Sequence, residues 1–153
     1  MHSSLSFTVA TFFCLSASTL AASSCKAIPS SAEWPAAAAW DALNTTVAGR
    51  LLKPLAPAAA CHSDQPNYDA DACQNVKNNF KSGTFHSNHP TSSMWQNYNN
   101  YSCMPDATAP CSGAGYPVYV VAVQNANDVK AAVDFARTNK IRLNIKSTGH
   151  DFL

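Results

Sequence analysis

A chain of 153 residues is long enough for one modest domain with a real core. Its 10 Lys+Arg against 9 Asp+Glu leave a net charge of +1, so neither sign dominates and nothing points to a nucleic acid backbone or an anionic membrane surface. Charged residues make up only 12%, and Ser, Thr, Asn and Ala take their place, a balance common in secreted proteins.

Residues 1–21 read as a signal peptide. Leu5, Phe7, Val9, Phe12, Phe13 and Leu15 form its apolar centre, and the small residues around Thr19-Leu20-Ala21 suit cleavage near Ala21 or Ala22. The run is too short and too broken by serine for a membrane anchor. The mature chain is expected outside the cell and off the membrane. Two glycosylation triplets, Asn44-Thr-Thr and Asn100-Tyr-Ser, fit that compartment. Cys14 would leave with the leader. Of the cysteines that remain, Cys61 and Cys73 can close one small loop and Cys103 and Cys111 another. Cys25 is then odd, either a free thiol or one whose partner is absent from this chain. No CxxC pair suggests a zinc ribbon.

From Cys25 to Pro57 the pattern predicts one helix. Pro35 suits its first turn, Trp40, Leu43 and Val47 share one face, and Gly49 suits its end. From Ala58 to Gly115 the chain reads as irregular. Asp69 is placed to cap a short helix through Val76 and Phe80, and Lys81 to Pro110 reads as loops tied down by disulfides. His62, His86 and His89 are read as solvated loop histidines, with no metal site. Trp34 and Trp40 are expected to pack the first helix, while Trp95, Tyr98 and Tyr101 are expected to pin the irregular segment.

The third stretch has the clearest periodicity. Tyr116 to Val123 is a β-branched and aromatic run of strand length. Asn125 to Asp128 resembles a capping box, and Val129, Ala132, Val133 and Ala136 form an apolar stripe, broadened by Phe135, on a helix over 127–138. Leu143 and Ile145 then alternate with Asn144 and Lys146. Strand, helix and strand make a βαβ-like unit, and such units hold ligands beyond the carboxyl end of a strand. Here that end is Ser147-Thr-Gly-His150. No Ser-His-Asp arrangement or carboxylate pair stands out.

These residues carry a resemblance. Val120-Val-Ala-Val123, the helix from Asp128 to Arg137 and Ile145-Lys-Ser-Thr-Gly-His-Asp-Phe-Leu153 resemble the start of a PCMH-type FAD-binding domain of the vanillyl-alcohol oxidase superfamily. The branch most similar is that of secreted fungal FAD-linked oxidoreductases, akin to berberine bridge enzymes and glucooligosaccharide oxidases. Upstream, Trp34-Pro, Trp40-Asp-Ala-Leu-Asn, Gly49-Arg-Leu, Pro54, Cys61-His and the Cys103 to Cys111 segment follow the same branch.

The resemblance implies an α+β fold. A helical, disulfide-tied extension over residues 22–115 would precede the start of the FAD domain over 116–153. It implies FAD as cofactor, covalently bound at its 8α-methyl carbon to His150. Ser147, Thr148, Gly149 and Asp151 would face the pyrophosphate through their backbone N–H groups. It implies an oxidase of an alcohol or related carbon centre in a small-molecule substrate, with oxygen as electron acceptor. Two departures stand out. Ser31-Ala-Glu-Trp-Pro lacks the branch's second cysteine near Cys25. The sequence also stops at Leu153, before the family's Gly-rich phosphate loop and its substrate domain. The chain is thus expected to be the N-terminal piece of such an oxidase, partly unfolded or aggregating by itself. A disulfide-stapled binding or effector-like module without flavin is the other reading.

Overall fold

The computed structural model describes residues 25–150, so the expected leader at residues 1–21 and the candidate Asp151 lie outside the described residues. In chain order the structure forms α1 (Ala37–Thr46), β1 (Leu51–Leu52), α2 (Ala70–Asn79), α3 (Gly83–Asn88), β2 (Val120–Val121) and α4 (Ala126–Thr138). Short 3-10 turns lie at Ala59–Cys61 and Gln96–Asn99. Helices around one two-stranded sheet make an α+β architecture, as expected. None of these helices is long and apolar enough to cross a membrane.

The first of two small cores lies between α1, α4 and the sheet. The alanine run from Ala36 supplies helix propensity for α1. The helix starts only at Ala37, because Ala36 is still extended at ψ 157. Pro35 therefore precedes the helix instead of occupying its first turn. At the other end Ala48 (φ 52) and Gly49 (φ 80) turn left-handed, and the Gly49 N–H donates back to the Asn44 carbonyl at 2.8 Å. The Asn44 side-chain oxygen then accepts from the Leu51 N–H at 3.1 Å, which steers the chain into β1. β1 pairs antiparallel with β2, Leu51 opposite Val121 and Leu52 opposite Val120. Trp40, Leu43 and Val47 are buried together as their spacing required. Trp40 stacks on Tyr119 with centroids 4.0 Å apart, and Phe135 and Trp34 lie 4.8 and 5.3 Å away.

The strand expected over 116–123 contracts to Val120–Val121. A strand needs a paired backbone beside it, and among the described residues only Leu51–Leu52 pairs with it. The second expected strand is reduced to one parallel bridge between Ile141 and Ala27, and Leu143 and Ile145 are exposed. The strand-helix-strand unit is thus a short strand, a helix and a bridge.

α4 opens as its cap predicted, with the Asn125 side chain accepting from the Asp128 N–H at 3.1 Å. The Asp128 carboxylate takes the Gln124 N–H at 2.9 Å and both ends of the Arg50 guanidinium at 2.5 and 3.1 Å. The Arg50 hydrogen bonds first, then the Gln124 N–H, hold this buried carboxyl below the usual carboxylate range. The fork ties the start of α4 to the residue before β1. Of the expected stripe on α4, Ala136 is buried and Phe135 is packed inward, but the two valines are not. Ala131 and Phe135 pack on the Trp40 cluster, whereas Val129 and Val133 are exposed. A phenyl ring against Trp40 buries more apolar area than either valine, and that sets the helix rotation.

The second core gathers Ala56, Ala58, Ala59, Val76 and four cysteines, with Phe80, Phe85 and Tyr116 packed at its edge. Both expected disulfides, Cys61–Cys73 and Cys103–Cys111, form within it. Cys25 is an exposed free thiol. Asp69 caps α2 by accepting from the Ala72 N–H at 2.7 Å. The stretch from Lys81 to Pro110 is more ordered than expected. Ser82 caps α3 through the Phe85 N–H, and the Gln96–Asn99 turn follows.

Candidate functional site

The turn from Lys146 to His150 is docked on α3, and one lysine fastens it there. The Lys146 ammonium donates to the carbonyls of His86, Ser87 and His89 at 3.0, 2.9 and 2.5 Å. These are carbonyls at the C-terminal end of α3, where unpaired acceptors and the negative end of the helix dipole favour a cation. Burial lowers the pKa of this ammonium. The Lys146 stem passes beneath Gly149, where an added Cβ would sit 2.8 Å from the lysine Cε and 3.3 Å from the Ser92 carbonyl oxygen. Gly149 also has φ +74, so both its dihedral and its crowding require glycine. Its carbonyl accepts from the Met94 N–H at 3.4 Å.

Among the candidate residues, Ser147 and Thr148 are exposed and Gly149 is half-buried. His150 is exposed, with its backbone N–H 3.4 Å from the Thr148 hydroxyl oxygen. The His150 imidazole lies over Gly83 at the other end of α3, its Cε1 3.0 Å from where a Gly83 Cβ would be. Lys146 and His150 thus hold opposite ends of one short helix, and the turn between them faces outward.

The histidines behind this turn are not solvated, which corrects the sequence reading. His86 is almost fully buried, with Nε2 2.6 Å from the Phe80 carbonyl and Nδ1 2.6 Å from the Ser92 hydroxyl. A carbonyl only accepts, so in the neutral ring Nε2 carries the proton and Nδ1 accepts from Ser92. His62 is also buried, its Nε2 2.7 Å from the Met104 carbonyl. His62 lies within ligand distance of Cys103 and Cys111. Those sulfurs are joined to each other, so the cluster offers a metal a single imidazole. Trp95, Tyr98 and Tyr101, expected to pin the segment, are exposed.

His89 has Nδ1 3.2 Å from the Thr91 hydroxyl. Burial, then the charges of Lys146 and His86, push its pKa from 6.5 down to about 4. Between those values the unfolded chain binds more protons than the folded one, so stability rises with pH across that window. The contribution is complete above the unfolded value and is lost as pH falls toward the folded one. Each pKa unit is worth about 1.4 kcal/mol, and solvent access reduces the sum to a loss of about 1–2 kcal/mol on acidification. Urea denaturation at ~pH 7 and ~pH 4.5 should show this loss, and His89→Gln should flatten it. An unchanged pH slope in the variant would remove His89 from the account.

Chemically, the turn offers an exposed imidazole on a glycine bend with a rigid support behind it. That suits the attachment end of a flavin, because a neutral imidazole nitrogen is a good nucleophile near neutral pH. Two clefts of the surface lie away from this turn, one beside His62 and Tyr68 and one between α1 and α4. Lys146, His86 and Ser92 were missed from sequence. A lysine immediately before a glycine turn was the available signal for the first.

No family model matches the chain. It is 42% identical over 134 residues to the VAO-type flavoprotein oxidase VAO615 of Thermothelomyces thermophilus, covering 85% of this chain and 23% of that protein. It is 40% identical over 131 residues to the FAD-linked oxidoreductase ZEB1 of Gibberella zeae, covering 84% of this chain and 23% of that one. The crystal structure of the VAO-type flavoprotein MtVAO615 from Myceliophthora thermophila superposes with a TM-score of 0.78 at 41% identity, over 84% of this chain and 24% of that one. The chain thus spans about a quarter of the length of the relatives it matches.

Proposed function

We propose, from the premise that this chain belongs to the VAO-type, FAD-linked oxidoreductases and corresponds to their N-terminal region, that His150 is a covalent flavin-attachment residue. On this reading residues 116–153 open a PCMH-type FAD-binding domain, preceded by a leader over 1–21 and a disulfide-tied extension over 22–115. The observation that carries the reading is the Gly149–His150 turn, with its positive φ, its exposed imidazole and its fastening to α3 by Lys146.

His150 would supply the nitrogen that joins the 8α-methyl carbon of the flavin. Ser147, Thr148, Gly149 and Asp151 would approach the pyrophosphate through their backbone. When bound, FAD supplies a hydride acceptor for an alcohol or related carbon centre and passes the electrons to oxygen. Lys146 keeps the turn on α3, so that His150 is positioned before the cofactor arrives. The protein would act outside the cell.

The test is a chimera in which this chain replaces the matching N-terminal quarter of the 42%-identical oxidase, with absorbance and intact mass as readouts. A yellow product carrying the mass of one FAD through denaturation is expected, and His150→Ala should lose that mass. The chain alone is expected to be colourless, because it spans only about a quarter of the length of its FAD-linked relatives. A covalent adduct that survives His150→Ala would end the proposal and leave the disulfide-stapled binding module as the better reading.

A further inference from the structure

The two glycosylation triplets occupy very different places in the fold. Asn44 is half-buried inside α1, and its carboxamide oxygen holds the Leu51 N–H that starts β1. Asn100 is exposed at the end of the Gln96–Asn99 turn, in the left-handed region at φ 52 and ψ 32. Its backbone is fixed, with the Asn100 N–H bonded to the Asn97 carbonyl at 3.0 Å and the Tyr101 N–H to the Gln96 carbonyl at 3.1 Å.

Partly exposed aromatic residues flank Asn100. Tyr98, two residues before it, is 44% exposed, and Tyr101, immediately after it, is 59% exposed. An aromatic face carries partial negative charge and the axial C–H groups of a sugar ring carry partial positive charge, so the two stack. Tyr98 lies within the Gln96–Asn99 turn that ends at Asn100, two residues before the attachment asparagine.

We infer that Asn100, and not Asn44, is the principal N-glycan site of this chain, and that Tyr98 packs the first N-acetylglucosamine. This rests on the proposal that the chain enters the secretory route. The reaction joins the Asn100 Nδ2 to the anomeric carbon of a lipid-diphosphate-linked oligosaccharide. The carbon–oxygen bond to the diphosphate breaks, the lipid diphosphate leaves, Nδ2 gives up one proton, and nothing is oxidised or reduced.

The experiment expresses the full chain in a secreting yeast, once behind its own N-terminus and once with a heterologous signal sequence placed ahead of it. Both medium and microsomes are collected. Enzymatic release of N-glycans in heavy-oxygen water marks each former glycan site as aspartate, read by peptide mass. The expected result is a mark at Asn100 in most molecules and at Asn44 in few, with Asn100→Asp removing most of the glycan mass. Deglycosylation should lower the midpoint temperature, and Tyr98→Ala should at least halve that drop. A bare Asn100 behind the heterologous signal overturns the inference, as does a mark confined to Asn44. An unchanged drop in Tyr98→Ala overturns the packing role. A mark seen only behind the heterologous signal refutes the native leader and leaves the Asn100 assignment standing.

Discussion

Reduction of both disulfides is expected to cost the fold about 5–6 kcal/mol in sum and to unfold the region from Ala56 to Tyr116. The two bridges close loops of 12 and 8 residues, worth about 3 and 2.5 kcal/mol in the chain-entropy model. The reason they weigh so heavily is the core they sit in. Its buried residues are alanines, one valine and the cysteines themselves, so it offers little apolar area to offset the ordering of a long irregular segment. Urea denaturation followed by far-UV dichroism, with and without a phosphine reductant, measures the sum. Cys61→Ser/Cys73→Ser and Cys103→Ser/Cys111→Ser should each give about half of it. An unchanged midpoint on reduction would mean that the alanine packing holds this region by itself.

Trp40→Ala should destabilise the other core by about 3–5 kcal/mol, the range for losing a large buried aromatic. Trp40 packs against Trp34 before α1, Tyr119 beside β2 and Phe135 on α4. Removing it leaves a void among these three rings. Trp40→Phe separates volume from polarity. The Trp40 Nε1 is buried without a hydrogen-bond partner among the described residues, and an unpaired buried donor costs about 1–3 kcal/mol. Phenylalanine removes that cost while losing some volume, so the net change should stay within about 1 kcal/mol. A Trp40→Phe loss as large as that of Trp40→Ala would show that the indole nitrogen matters after all.

Features governed by near neighbours in sequence were legible. Asp69 and Asn125 cap the helices they were expected to cap, and cysteines close together in sequence paired. Gly49 adopts a left-handed dihedral at the end of α1. Features governed by distant partners were not. Val129, Val133 and Phe135 share one broad stripe, but periodicity does not say which side of it is buried. The Phe135 side is buried because Trp40 lies opposite it. A histidine in a Pro/Asn/Ser stretch reads as solvated unless the Phe80 carbonyl and the Ser92 hydroxyl are known to meet it, as they do at His86. At the site, Gly149 and His150 were visible as a motif. Lys146 was not, because its partners lie some 60 residues upstream.

The bridge between Ala27 and Ile141, reinforced by the Ala27 N–H donating to the Lys140 carbonyl at 3.0 Å, joins the two ends of the described chain. Lys146 closes a second long circuit to α3. Neither contact can form until the segment from Ile141 to Lys146 has left the ribosome. The capped helices and disulfide loops can assemble during synthesis, but the Trp40 core has to wait for α4 and the segment after it. These two closures should therefore form slowly, as expected where contacts span long sequence distances. In the interval the aromatic cluster around Trp40 is open and prone to association.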